Sequence, residues 1–322
     1  MILKLSALAV MSCVVWAADP WLTIEPKAPA KGKHIVLVSG DEEYRSEELL
    51  PQLAKILATR HGFKCTVLFA IDPKDGVIHP EYNSNIPGLE SLDSADLMVI
   101  LTRFRDLPDD QMKHILDYAN SGKPMVALRT ATHAFALKSS PTYGKYSWNS
   151  PDGGFGKQFF GETWVNHHGK HAVQSTRGIA RAGREGHPLL RGIGKDELWS
   201  PTDVYTVRMP LAPEFDVLVD GQVLTGMNPT DPAVDGALNN PMMPLVWVST
   251  KRGRTFVTTM GTSEDLLVPS MRRLFVNACY WALGLDAKID PKMNVDLVGE
   301  YHPLPFKFGG NAKGITPASL AK

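Results

Sequence analysis

The chain has 322 residues, 34 Lys plus Arg against 34 Asp plus Glu, and 43% hydrophobic residues. That length allows one large domain or two small ones with a sizeable core, and the balanced charge excludes a strong field in either direction. No dense basic stripe is present, so a nucleic-acid partner is not expected.

The first 20 residues, MILKLSALAVMSCVVWAADP, read as a targeting segment. Lys4 precedes an apolar run from Leu5 to Trp16 that is too short to span a bilayer and fits a signal-peptide core. Cleavage is expected after Ala17, with Val15 and Ala17 as the small pair. The alternative is a lipoprotein anchored through Cys13. Either way the mature domain is expected in the periplasm or outside the cell, with no membrane span. Removing the leader leaves Cys65 and Cys279, each inside an apolar pattern. A disulfide is allowed in that compartment, but two buried free thiols fit the patterns better.

KHIVLVSG (33–40) is an apolar strand, and SEELLPQLAKILATRHG (46–62) follows with helical spacing at Leu49, Leu53, Ile56 and Leu57, closed by Gly62. KCTVLFA (64–70) and ADLMVILT (95–102) read as buried strands. PDDQMKHILDYANSG (108–122) is a helix with an acidic first turn, and KPMVALR (123–129) is a fourth strand. Continuous apolar runs alternating with helices predict a mostly parallel sheet covered on both faces.

Residues 136–200 carry many Gly, Trp and His with little periodicity and read as a long insertion with short helices. Strands return at VYTVRM, FDVLVDG, PLVWVST and RTFVTTMG. A last helix, VPSMRRLFVNACYWALG (268–284), turns Met271, Leu274, Phe275, Ala278 and Trp281 to one face. Residues 286–322 read as an irregular tail. The α/β domain is thus expected over 30–285.

In open parallel sheets, ligands bind beyond the carboxyl ends of the strands. Four such ends carry polar clusters. They are Asp41, Glu42, Tyr44 and Arg45 after the first strand; Arg103 and Arg105 after the third; Arg129, Thr130, Thr132 and His133 after the fourth; and Thr262, Ser263 and Asp265 after the last. Guanidinium groups around one crevice would favour an anionic or hydroxyl-rich ligand. Arg103 or Arg105 can instead pair with Asp41, Glu42 or Asp106 and lock the loops. Arg129 differs from them, because an apolar strand delivers it directly into a strand-to-helix turn, where many α/β enzymes hold a catalytic side chain.

TWVNHHGKH (163–171) is the other dense cluster, with Asn166, His167, His168 and His171. Imidazoles serve as acid/base groups, hydrogen-bond partners or metal ligands. Adjacent residues on a strand face opposite ways, so His167 and His168 should not bind one ion together. His167, His168 and His171 remain metal candidates only if the loop is irregular. Asp203 and Tyr205 are candidates for the wall of the site.

The ordered set GKPMVALRTATHAF, GHPLLRGI, PLVWVST…GRTFVTTMG and RRLFVNACYWALGL resembles the trehalose-utilisation (ThuA-like) family over about residues 33–285. That resemblance implies a flavodoxin-like central sheet, similar to class I glutamine amidotransferases. It also implies a role in sugar catabolism, in particular through 3-keto disaccharides. The amidotransferases place a cysteine in the elbow after this strand. Here Arg129 stands in the matching place with no cysteine nearby, so glutamine hydrolysis by a thiolate is not expected.

These observations lead to a secreted carbohydrate-active enzyme working on a glycoside or keto-sugar. His168, His167 or His133 would be the acid/base group, and Arg129 would partner the developing oxyanion. Bound sugar would meet Asp41, Glu42, Arg45, Arg103, Arg105, Thr130, Thr132, Asn166, His171, Asp203, Tyr205 and Thr262. No cofactor is expected, and the oligomeric state is open. A non-catalytic carbohydrate-binding or scaffold protein, using Trp148, Trp164 and Trp199 as sugar platforms, is the first alternative. A metal-dependent hydrolase is the second.

Overall fold

The computed structural model describes residues 19–321. The expected leader, its cleavage after Ala17 and the alternative anchor at Cys13 lie outside the described residues. Among the described residues no helix is long and apolar enough to cross a membrane.

An edge strand β1 (Trp21–Ile24) is followed by β2 (His34–Gly40), α1 (Ser46–His61) and β3 (Lys64–Leu68). Next come β4 (Leu97–Thr102), α2 (Asp109–Asn120) and β5 (Met125–Leu128). The middle of the chain supplies α3 (Gly154–Phe160), β6 (Trp164–His167), β7 (Thr176–Ala180), β8 (Trp199–Ser200) and β9 (Tyr205–Val207). The last elements are β10 (Asp216–Val223), β11 (Met243–Ser249), β12 (Thr255–Thr258) and α4 (Pro269–Ala282).

Ten strands form one sheet in the order β1-β3-β2-β4-β5-β12-β11-β10-β7-β8. From β3 to β12 the neighbours are parallel. β1 and the strands beyond β12 pair antiparallel. This is a flavodoxin-like α/β sheet with an antiparallel extension. The stretch 136–200 therefore does more than insert short helices, because β7 and β8 extend the main sheet. β6 pairs with β9 in a separate two-stranded sheet.

Alternation along β2 feeds two cores, as the pleat requires. Ile35 and Leu37 join the cluster under α1 and α4, while Val36 and Val38 join the cluster under α2 and α3. Both faces of the parallel strands are covered, which is why those strands read as unbroken apolar runs. Cys65 and Cys279 are free and buried; burial pushes the Cys279 thiol up to about 12.

One close approach fixes the turn after β5. A Cβ at Gly156 would lie 1.9 Å from the Thr132 carbonyl oxygen, which also accepts a 2.9 Å hydrogen bond from the Thr163 hydroxyl. Gly156→Ala is expected to destabilise the protein by about 1–3 kcal/mol, the usual range for overpacking. A thermal unfolding midpoint equal to wild type would show that α3 moves aside freely.

Candidate functional site

The loops after β2, β4, β5 and β6 meet at the carboxyl rim of the parallel strands. Arg103 bridges Glu42 and Glu43, Phe104 packs on His133, and the Thr130 hydroxyl donates to Asp41. His171 pairs with Glu43, and both His167 and Arg129 reach Asp203. The backbone is tight here. Arg45, Phe104, Arg129 and Ala172 take positive φ values of 57°, 48°, 42° and 56°, a region L residues visit only when their surroundings hold them there.

Arg129 sits in the elbow, as expected from its strand, but its guanidinium is closed. Nη1 donates to the carbonyls of Asp203 at 2.5 Å and Thr259 at 2.7 Å. Nη2 donates to the Tyr44 hydroxyl at 2.9 Å and to Asp203 Oδ1 at 3.3 Å. The group also lies 4.3 Å from the centre of the Tyr44 ring, and only 2% of the residue is exposed. The expectation of an open oxyanion partner is thus corrected. Four acceptors and an aromatic face use up the fork, and Arg129 acts as a brace for Asp203.

Asp203 is the hub of the site. It is fully buried, and its carboxylate accepts from His167 Nδ1 at 2.8 Å and His171 Nδ1 at 2.9 Å. Burial opposes its charge, but the two imidazoles and the Arg129 cation outweigh burial and hold the carboxyl well below its ordinary range. His171 Nε2 meets Glu43 Oε1 at 3.1 Å. Hydrogen bonds to Asp203 and then Glu43 raise the His171 imidazole to about 9, so it is a cation at neutral pH. The two rings stand 4.5 Å apart, and the His167 side chain remains 42% exposed.

The neighbouring His168, just past the end of β6, turns away. Its Nε2 lies 2.7 Å from the Leu238 carbonyl and its Nδ1 3.4 Å from the Thr206 hydroxyl. It takes no part in the cluster, which corrects its place as the leading base. His133 is buried with its ring centre 5.1 Å from both Phe104 and Trp164. Burial, and then the Arg103 and Arg129 cations, push its imidazole well below the ordinary value, so it stays neutral. Trp148 packs against Phe104 and Trp164, completing an aromatic wall beside His167.

Most of the other expected ligand contacts serve the loops instead. Asp41 accepts from the Glu43 and Tyr44 amides and holds the turn after β2. Glu42 takes both Arg103 and Arg105, and Arg105 also donates to the Pro80 carbonyl. Arg45 donates to the carbonyls of Pro305 and Gly309, clamping the C-terminal segment. Thr132 shares a 2.9 Å hydrogen bond with Tyr205, whose hydroxyl also lies 2.9 Å from the Arg129 carbonyl. Thr262 is buried, and its amide donates to Asp265 Oδ2. Asn166 is exposed on β6, opposite Thr206. Trp199 donates its indole N–H to Ser175.

Sequence reasoning missed Glu43, Phe104 and the tail residues Phe306 and Phe308. Glu43 stands beside the Asp41 and Glu42 pair, and no pattern tells which of three consecutive acids faces inward. Phe306 stacks on Tyr44 and packs edge-on to His171, while Phe308 covers Arg103. A tail without periodicity gives no signal for such contacts.

The family model described as ThuA, trehalose utilisation, matches residues 35–282. No curated protein sequence matches the chain. Among solved structures, a ThuA-like protein from Parabacteroides merdae aligns with a TM-score of 0.48 at 15% identity, covering 78% of this chain and 90% of that one. The mmIFT52 N-terminal domain gives 0.40 at 12% identity, with 78% and 97% covered. The glutaminase domain of Trypanosoma brucei CTPS with bound acivicin gives 0.36 at 9% identity, with 83% and 98% covered. With a family match running from β2 to the last residue of α4, the chain belongs to the ThuA, or trehalose-utilisation, family.

Proposed function

We propose that this protein is a carbohydrate-active enzyme of sugar catabolism, acting on a glycoside or keto-sugar at the rim centred on Asp203. The observation that carries the reading is the half-open His167 imidazole. Its Nδ1 is fixed on a buried carboxylate, and its ring stands beside the indole of Trp164. An oriented imidazole next to an aromatic face is suited to proton transfer on a bound sugar ring.

Elimination next to a ketone illustrates the chemistry. A base takes the proton α to the carbonyl, the C–H electron pair forms an enolate, and the β C–O bond then breaks to release an alcohol, which takes up a proton. His167 serves as the base. The enolate oxygen needs a nearby cation; Arg129 is closed, and His171 contributes charge but no free N–H, because Asp203 and Glu43 hold both of its ring nitrogens.

The test is turnover of a panel of 3-keto-disaccharides and their parent glycosides. His167→Ala is expected to lower the rate by about 10²–10⁴-fold, the usual worth of a positioned acid/base group. His168→Ala is expected to leave it unchanged. Equal rates in wild type and His167→Ala would remove this mechanism, and binding without turnover would point to a carbohydrate-binding protein. Export belongs to the same proposal. With a cut after Ala17, the secreted protein is expected to begin at Ala18; N-terminal sequencing reads this directly.

A further inference from the structure

We propose that Asp203, His167 and His171 form a binding site for one divalent transition-metal ion of the zinc class, with Glu43 beside it. The proposal concerns the same rim as the functional reading above, but it rests on the donor set and not on sugar chemistry. It changes the membership suggested by TWVNHHGKH alone, because His168 leaves the set and a buried carboxylate from a distant segment enters it.

Three observations carry it. First, one ligand atom from each of His167, His171 and Asp203 lies within 4.8 Å of the others. Two imidazoles and a carboxylate are a donor set that zinc-class ions accept, with a fourth position left open in catalytic sites. Second, the carboxylate is held from behind. Arg129 binds both Oδ1 and the main-chain carbonyl of Asp203, and Tyr44 and Thr259 hold Arg129 in turn. Metal ligands are commonly fixed by such outer partners. Third, two carboxylates converge on the edges of one imidazole, Asp203 on His171 Nδ1 and Glu43 on Nε2. A metal on Nδ1 would leave Glu43 on Nε2 as the outer partner that fixes the ring.

Binding requires the donor atoms to shift, because they now span up to 4.8 Å. Metal–ligand bonds of about 2.0–2.1 Å in a tetrahedron put ligand atoms roughly 3.3 Å apart. The Asp203 contacts at 2.8 and 2.9 Å must open by about half an ångström. His167 and His171 sit at the solvent side of the site and can make that shift, while the buried Asp203 stays anchored. With the ion bound, His167 and His171 become ligands. The metal would supply the cationic charge given above to His171, with Glu43 still paired to His171 Nε2.

The experiment uses the full mature chain, purified without an affinity tag and stripped with a chelator. Calorimetric titration with Zn²⁺ is expected to show one site per chain. Co²⁺ is expected to give visible absorption bands of a tetrahedral nitrogen and oxygen site. His167→Ala and His171→Ala are each expected to weaken binding at least tenfold. Both residues are partly exposed, so the variants should fold, and circular dichroism checks this. His168→Ala is expected to bind like wild type. No saturable binding by the stripped wild type, or equal binding in the His167 and His171 variants, would overturn the proposal. Metal binding without sugar turnover would leave this site standing and remove the sugar reading. Turnover by a chain that binds no metal would do the reverse.

Discussion

Replacing Arg129 with methionine is expected to cost roughly 3–5 kcal/mol of folding stability, the range for breaking a buried ion pair from one side. The substitution keeps much of the volume and removes the charge. It leaves Asp203 as a buried anion without its brace, and it strips a donor from the carbonyls of Asp203 and Thr259. Tyr44 also loses its partner, although its ring keeps the stack with Phe306. Arg129→Lys should recover only part of the loss, because an ammonium cannot present a planar fork to acceptors on both sides. Urea unfolding measures both variants. A loss below about 1 kcal/mol for the methionine variant, the range of an ordinary surface substitution, would show that the guanidinium is not locked.

On the proposed sugar chemistry, replacing Asp203 with asparagine is expected to lower activity as far as His167→Ala does and to change how stability depends on pH. The shape is kept but the anion is lost, so His167 is no longer held by charge and His171 keeps only Glu43. Turnover should fall by about 10²–10⁴-fold, as for loss of a positioned acid/base group. The sign of the pH effect follows from His171. Its folded value of about 9 lies above the unfolded value of about 6.5. Its contribution to stability is therefore complete below about pH 6.5 and is lost as pH rises through 9. His133 and His61 act in the opposite sense. Burial lowers both, His61 to about 4, so stability falls as pH drops below about 6.5 and the unfolded chain takes up protons.

The histidine contribution thus peaks near pH 6.5 in wild type, and Asp203→Asn should flatten its alkaline side. Unfolding midpoints of chelator-treated protein from about pH 6 to 9.5 would measure this. Parallel curves for the two proteins would show that Asp203 does not hold the His171 charge.

The contrast between His167 and His168 shows how far local pattern reaches. Period-two alternation is enough to say that the two imidazoles face opposite ways. It cannot say which one faces the rim, because that depends on β6 pairing with β9 rather than with the main sheet. Arg129 teaches the same lesson. The apolar run before it puts the residue in the elbow, but the acceptors that close its guanidinium come from segments up to 130 residues away.

The layered α/β architecture was legible in the order of residues. The parallel strands are buried on both faces and so must be continuously apolar, and each helix must keep one apolar stripe. Those demands act within a few residues of chain and leave a local trace. The site needed the folded chain. Asp203 gathers two histidines and an arginine because the fold sets the separate β6–β9 ribbon against the end of β5. A carboxylate is equally polar in sequence whether it ends in solvent or in the core. Its chemistry is set by burial and by partners distant along the chain, and neither is written in its neighbours.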